Sequence, residues 1–240
     1  MLEDGGTLSL IGEILGDDQV LMTGINRRAQ TDDGETYHNS LAVLRYHGGA
    51  PRIVALYDKV LLAPFGESIP FSSLLSAIGF AEFARLQFTP GAGPFVMDLP
   101  GAPPVMPLIC YEGIFPNFVH AGSPRPAWLF NLSNDAWFGD TSGPRQHVNQ
   151  TRYRSIETGL PMIRSASRGV SGVIDALGRM PTVIQPTAEG AYDVDLPRPI
   201  AAPLYTFWGD LPFWMVGMLV IVGIILQRRK VVEKYFRFRV

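Results

Sequence analysis

Cys110 is the single cysteine of the chain, and its position suits a reactive thiol. It follows the apolar run 105–109, which predicts a strand, and precedes residues 114–121, which predict a helix. A thiol between a strand end and a helix start gains electrostatic help as a nucleophile. The alternative is an ordinary core cysteine, because free cysteine is among the most buried residue types. One cysteine also excludes an internal disulfide.

Lys59 is a second candidate, because it ends the apolar stretch 53–58, which also predicts a strand. A lysine within such a stretch needs a charged partner or a chemical role. Glu67 can be that partner, since it follows after a Pro-Phe-Gly turn. The alternative is a solvent-exposed Lys–Glu pair at a strand end. We expect Lys59 to lie within hydrogen-bonding reach of the Cys110 region, with Glu67 close by.

Other catalytic templates are missing from the sequence. There is no G-x-S-x-G, H-E-x-x-H or P-loop motif. The histidines show no metal-ligand spacing, so we expect neither a metal nor an organic cofactor. They are His38, His47, His120 and His147. Residues 227–240 contain six basic residues and one acid, a charge of +5, which leaves −7 for the rest of a chain whose net charge is −2. A body of that charge excludes nucleic acid as a partner.

Residues 211–227 form an uncharged apolar run. As a helix, such a run is about 25 Å long, just enough for a bilayer core of about 30 Å. Aromatic residues crowd its upstream end, and the basic residues 228–230 follow it directly. The positive-inside rule then predicts a transmembrane helix with a cytoplasmic tail. A buried helix of a soluble protein is the alternative. We therefore predict a catalytic domain over 1–207, a membrane helix over 208–227 and a basic cytoplasmic tail over 228–240.

The remaining residues alternate between short apolar runs and longer amphipathic stretches. Short apolar runs predict strands in sheets that are covered on their faces. The predicted strands are 19–23, 38–46, 52–57, 95–99, 105–109, 127–132, 162–166 and 172–174, and the predicted helices are 7–15 and 144–157. The long, weakly charged stretch 71–88 predicts a mobile apolar lid.

Several of these stretches together resemble the apolipoprotein N-acyltransferases, a family of the nitrilase or carbon–nitrogen hydrolase superfamily. Residues 59–70 (KVLLAPFGESIP) resemble the lysine motif of that family, and residues 109–116 (ICYEGIFP) resemble its cysteine motif. Later blocks of the family are similar to residues 131–144, to Gln146 and His147, and to residues 154–159 and 164–178. The order and spacing of these blocks fit over nearly the whole chain.

The resemblance implies an α/β fold, a nitrilase-like α-β-β-α sandwich followed by one C-terminal transmembrane helix. It also implies a Glu-Lys-Cys triad, in which Cys110 matches the nucleophile and Lys59 matches the lysine. Glu67 matches an accessory carboxylate, and Tyr111 and Glu112 match the residues that follow the nucleophile.

The general-base glutamate of the family lies in a Trp-Pro-Glu segment ahead of the helix predicted over 7–15. Glu3 and Glu13 lack that context, so the base stays unassigned and is expected upstream of Met1. Residues 1–26 show no signal-peptide pattern either. The sequence therefore predicts an N-terminally truncated chain that lacks transferase activity on its own.

The implied reaction moves a fatty acyl chain from a phospholipid, through a cysteine thioester, to the α-amino group of the diacylglyceryl-cysteine of an apolipoprotein. The implied partners are a phospholipid donor, a lipoprotein acceptor and the membrane. The implied location is the bacterial inner membrane, with the catalytic domain in the periplasm. Two alternatives remain open: a nitrilase-type amidase acting on a small soluble amide, and an inactive membrane-anchored fragment.

Overall fold

A computed structural model describes residues 7–16, 19–32, 34–47, 50–70, 87–120 and 124–237. The chain divides into two compact units, Met1–Ala201 and Ala202–Val240. The predicted lid lies outside the described residues except for 87 and 88, and Glu3 lies outside them as well.

The first sheet has three antiparallel strands in the order β1-β2-β3. These strands are β1 (Val20–Thr31), β2 (Gly34–His47) and β3 (Ala50–Asp58), and helix α1 (Thr7–Ile14) contacts β3. The central strand β2 is buried on both faces over residues 40–44. The prediction that this strand ends at residue 23 is wrong, since β1 continues through Gly24 to Thr31. A Cβ at Gly24 would come within 2.9 Å of the Leu132 side chain, so this glycine marks a close approach inside a strand.

The second sheet has six strands in the order β4-β5-β6-β7-β8-β9. Its three central strands, β5 (Ala102–Ile109), β6 (Trp128–Asn134) and β7 (Met162–Ser167), are parallel. The antiparallel flanking strands are β4 (Met97–Leu99), β8 (Ser171–Ile174) and β9 (Thr182–Ile184). Parallel strands end at the same edge of a sheet, so the residues that follow β5, β6 and β7 meet there.

Helices connect the parallel strands, as parallel pairing requires. A 3₁₀ helix (Cys110–Ile114) and α2 (Pro116–His120) follow β5, while a second 3₁₀ helix (Asp135–Phe138) and α3 (Gly143–Thr158) follow β6. Helix α3 has a proline in its first turn and ends at Gly159, which has a φ of 66°. These connections carry most of the candidate site.

The core is layered. One apolar cluster fills the space between the two sheets and consists of Leu41, Val43, Tyr57, Met97, Leu99, Val105, Ile109, Trp128 and Phe130. A second cluster covers the opposite face of the six-stranded sheet and consists of Met106, Leu108, Phe118, Val119, Leu129, Leu160, Met162 and Ile174. Strand β5 contributes to both clusters on alternate residues, which explains why its sequence is continuously apolar.

The second unit contains α4 (Leu204–Trp208) and α5 (Leu211–Arg237). Within α5, residues Leu211–Arg229 have a mean hydropathy of 1.8, and none of their most apolar window is buried. A core helix of a soluble protein would be buried. By its length and composition alone, helix α5 is therefore long and apolar enough to cross a membrane.

Candidate active site

Cys110 lies at the first position after β5, in a strained turn. Its φ is 49°, in the left-handed region that residues with a side chain rarely adopt. The thiol is free and half-buried. Non-glycine residues persist in such conformations only where their surroundings hold them, and they cluster at functional sites. The backbone therefore distinguishes Cys110 from an ordinary core cysteine.

Lys59 directly follows β3, and only 1% of its side chain is exposed. Its Nζ donates to Oε2 of Glu67. The Ala63 backbone N–H donates to the same oxygen at 2.8 Å, and Asn39 Nδ2 donates to Oε1 at 2.7 Å. The alternative of a solvent-exposed Lys–Glu pair is wrong. Burial acts to raise the pKa of the Glu67 carboxyl, but the hydrogen bonds from Lys59 and Ala63 outweigh it and hold the pKa below its ordinary value.

Glu112 lies fully buried inside the 3₁₀ helix that begins at Cys110. Its Oε1 accepts from the backbone N–H groups of Val60 and Leu61, at 2.6 and 3.1 Å. Its Oε2 accepts from the Ile109 N–H at 2.7 Å, and the Tyr57 hydroxyl lies 3.0 Å from both oxygens.

This carboxylate joins the two segments that carry the candidate residues Lys59 and Cys110. Val60 follows Lys59, and Ile109 precedes Cys110, so one side chain holds both neighbours of the candidate residues. Burial raises the pKa of the Glu112 carboxyl, while the donated hydrogen bonds act in the opposite direction. Tyr111, the other predicted neighbour, packs edge-on against Phe115, with ring centroids 4.8 Å apart.

Glu112→Gln is expected to destabilise the fold by roughly 3 kcal/mol, since an amide nitrogen would face backbone N–H donors that are left unpaired. Tyr57→Phe is the matched control because it removes one donor and leaves the carboxylate, with an expected loss of about 1 kcal/mol. Urea denaturation of both variants measures these differences. Equal stability of Glu112→Gln and the wild-type protein would contradict the joining role.

A second buried cluster lies beside Cys110, and sequence reasoning assigned it no role. Asp135 Oδ1 accepts from Ser133 Oγ at 2.6 Å and lies 2.9 Å from His147 Nδ1. Asp135 Oδ2 accepts from the Arg164 guanidinium at 2.7 Å. Burial acts to raise the pKa of the Asp135 carboxyl, but the hydrogen bond with His147 and the charge of Arg164 outweigh it and lower the pKa. The signal that the sequence offers is Arg164 itself, a charged residue within the predicted strand 162–166.

The thiol of Cys110, a carboxylate oxygen of Asp135 and a ring nitrogen of His147 all lie within 4.8 Å of one another. Such donors could in principle hold a metal ion. However, the guanidinium of Arg164 is bonded to Asp135 and lies 3.2 Å from His147 Nδ1. This positive charge beside two of the three donors disfavours a cation, so we assign no metal to this group.

The acid stability of the protein is expected to depend on Glu67 and Asp135. Both pKa values are lower in the folded protein than their ordinary values of 4.5 and 3.8. A carboxyl whose pKa is lowered by folding stabilises the fold at pH values above its ordinary pKa. That contribution is lost as the pH falls through the pKa of the folded state. Thermal melting between pH 7 and pH 3 should therefore show a fall below about pH 4.5 that is shallower in Glu67→Gln. An identical pH profile would exclude this contribution.

The family model for carbon–nitrogen hydrolases matches residues 4–203, and the chain belongs to that family. Curated relatives include the apolipoprotein N-acyltransferase of Rhodopseudomonas palustris, 40% identical over 94% of this chain and 42% of that protein. The apolipoprotein N-acyltransferase of Bradyrhizobium diazoefficiens is 38% identical over 98% of this chain and 43% of that protein. The predicted resemblance is confirmed. The chain spans less than half the length of these relatives.

Solved structures confirm the nitrilase-like fold. A carbon–nitrogen hydrolase from Helicobacter pylori superposes with a TM-score of 0.56 at 19% identity, covering 78% of this chain and 64% of that chain. The NitFhit protein of C. elegans superposes with a TM-score of 0.52 at 19% identity, covering 76% of this chain and 43% of that chain. The general base stays unassigned, since Glu13 lies exposed on α1.

Proposed function

We propose that the protein is an N-acyltransferase that moves a fatty acyl chain from a phospholipid to the α-amino group of the diacylglyceryl-cysteine of an apolipoprotein. The observation that carries this proposal is the Glu112 carboxylate, which holds the segment of Lys59 against the turn of Cys110. A buried ammonium group suits covalent acyl transfer when its segment is held against a strained turn that carries a thiol. The names of the relatives support the substrate class.

In the first half-reaction the Cys110 thiol attacks the ester carbonyl of the phospholipid. The S–C bond forms, the ester C–O bond breaks, and the thiol proton ends on the hydroxyl of the departing lysophospholipid. Lys59 stabilises the oxyanion of the tetrahedral intermediate, and one such donor is typically worth about 3–4 kcal/mol. The Glu67 carboxylate fixes the position of this ammonium group.

In the second half-reaction the free amine of the lipoprotein attacks the thioester. The N–C bond forms, the S–C bond breaks, and an amine proton returns to the Cys110 sulfur. The amide is more stable than the thioester, which drives the transfer forward. A carboxylate that carries both protons acts as the general base, and we assign this role to none of the described residues.

Membrane attachment through α5 suits these substrates. We assign residues 1–207 to the catalytic domain, 208–227 to the membrane helix and 228–240 to a cytoplasmic tail. The basic residues 228–230 favour the cytoplasmic side, which leaves the catalytic domain in the periplasm.

Trp137 offers a contact for acyl chains, because its side chain is 83% exposed on the 3₁₀ helix that begins with Asp135. Trp137→Ser is expected to raise the KM for vesicle phospholipid roughly tenfold, since burying a large apolar side chain contributes about 1.5–3 kcal/mol. The matched control is Tyr153→Ser, another exposed aromatic residue, on α3. Steady-state kinetics with vesicles and with a short water-soluble ester measure both variants in the chimera described in the next paragraph. An equal effect on the two esters would contradict a lipid contact.

The function is tested by supplying labelled phospholipid and a diacylated lipopeptide and following both half-reactions by mass spectrometry. Because the chain spans less than half of its relatives, two proteins are compared: the chain itself, and a chimera in which residues 7–240 replace the matching part of the Rhodopseudomonas enzyme. We expect the chimera to carry an acyl group on Cys110 and to release triacylated peptide. The chain alone tests the prediction that these residues do not act by themselves.

Hydrolysis of small soluble amides without any lipid product would overturn the proposal in favour of an amidase. A folded chimera without acyl-enzyme, under conditions where the Rhodopseudomonas enzyme forms one, would also overturn it. Both outcomes are read from the same reaction mixtures.

A further inference from the structure

Two backbone carbonyls next to the candidate nucleophile bind buried side chains. Leu108 O accepts from Asn131 Nδ2 at 3.0 Å, and Cys110 O lies 3.3 Å from His147 Nε2. Asn131 is fully buried, and His147 is 5% exposed. A carbonyl oxygen only accepts hydrogen bonds, so a hydrogen bond to Cys110 O requires a proton on Nε2 of His147.

Asp135 and Arg164 connect these two side chains to each other. Arg164 donates to Oδ1 of Asn131 and to Oδ2 of Asp135, and the other oxygen of Asp135 faces Nδ1 of His147. We call Asn131, Asp135, His147 and Arg164 the carbonyl clamp. Its members lie on β6, on the 3₁₀ helix after β6, on α3 and on β7, which are all parts of the regular framework.

The carbonyl clamp has little freedom to move. A Cβ at Gly169 would come within 2.3 Å of Asp135 Oδ2, so the turn between β7 and β8 closes over this carboxylate. Arg164 also donates to the Val170 carbonyl at 3.1 Å in the same turn. Buried polar networks in which the members are satisfied are rigid.

We propose that the carbonyl clamp holds the left-handed turn at Cys110 and thereby orients its thiol, with His147 as a positioning residue. A non-glycine residue at a φ of 49° persists only when its surroundings over-determine the backbone. The carbonyl clamp supplies that constraint through the carbonyls of Leu108 and Cys110, and Glu112 supplies it through the N–H of Ile109. The proposal rests on the proposed function in that Cys110 is the nucleophile.

A base role for His147 fits the contacts less well. Nε2 lies within hydrogen-bonding distance of the Cys110 carbonyl, and Nδ1 faces Asp135 and the Arg164 guanidinium. Neither nitrogen is hydrogen-bonded to the thiol, although the sulfur lies within 4.8 Å of the ring. Orientation of the turn therefore accounts for more of the geometry than proton transfer from sulfur.

The experiment compares His147→Gln with His147→Asn in the full chain. The glutamine amide reaches the place of Nε2 and can still donate to Cys110 O, whereas the asparagine amide reaches only the place of Nδ1. Alkylation of Cys110 by iodoacetamide reports on the thiol directly, since the chain has no other cysteine. We expect the alkylation rate to fall roughly tenfold in His147→Asn, as for one lost hydrogen bond, and to stay within about threefold in His147→Gln.

Equal slowing in both variants would overturn the proposal, because it would show that the imidazole itself is needed. Unchanged rates in both would overturn it as well. If either variant unfolds below the assay temperature, the proposal is tested by nitrogen NMR of wild-type protein labelled at histidine. An unprotonated Nε2 at His147 would then refute the proposal. The alkylation readout needs no acyl transfer, so failure of the transferase assay with an intact alkylation pattern removes the proposed function and leaves the carbonyl clamp.

Discussion

Cys110→Ala in the chimera is expected to abolish acyl-enzyme formation and to lower product release by roughly 10⁴-fold or more, as removal of a covalent nucleophile does elsewhere. The reason is that the given sequence contains no second thiol and that the backbone of Cys110 is held in a strained, left-handed conformation. The measurement uses phospholipid with a labelled acyl chain. The label should be released by hydroxylamine, as a thioester is.

Cys110→Ser is the matched control for this prediction. It keeps the size and the polarity of the side chain but supplies a hydroxyl, which is a weak nucleophile at its ordinary pKa. We expect a folded protein with binding of phospholipid retained and with little or no acyl-enzyme. Persistence of a hydroxylamine-sensitive label in Cys110→Ala would show that another residue accepts the acyl group.

The local sequence was sufficient for most of the elements around the site. Strand β5 was predicted because its residues are apolar without interruption, and the structure buries it between two apolar clusters. Lys59 and Glu67 were paired because a lysine at the end of an apolar strand needs a counter-charge, and the structure places them in contact. These predictions concern neighbours in the sequence, where composition constrains the outcome.

The carbonyl clamp could not be predicted in the same way. His147 and Cys110 are 37 residues apart, and Arg164 and Asp135 are 29 residues apart, yet they touch. Their proximity comes from the parallel order of β5, β6 and β7, which brings the ends of these strands to one edge. Spacing along the chain carries no signal of such an arrangement. The sequence offers only a charge within a predicted strand, Arg164, whose partner has to come from another element.

Glu112 illustrates a role that a motif alone does not reveal. The resemblance placed it next to the nucleophile, where a carboxylate could act on substrate. The structure uses both oxygens for donors from β3, from the loop after it and from β5. The Glu112 carboxylate therefore aligns the site, because each of its hydrogen bonds fixes a segment that carries a candidate catalytic residue.

Lys59→Met is expected to have the second-largest effect. It should slow acyl-enzyme formation by roughly 10²–10³-fold, as loss of one oxyanion donor does. It should also destabilise the fold by roughly 3 kcal/mol, because the largely buried Glu67 would keep its charge without its partner. Single-turnover kinetics and urea denaturation measure the two effects separately.

The double variant Lys59→Met with Glu67→Gln separates catalysis from stability. Removing both charges replaces an ion pair by neutral groups of similar size, so most of the lost stability should return. The rate of acyl-enzyme formation should stay low, because the oxyanion still lacks its donor. Recovery of the rate together with the stability would mean that Lys59 acts only as a structural partner of Glu67. Continued slow acylation in a protein as stable as the wild type would place the ammonium group at the reacting carbonyl.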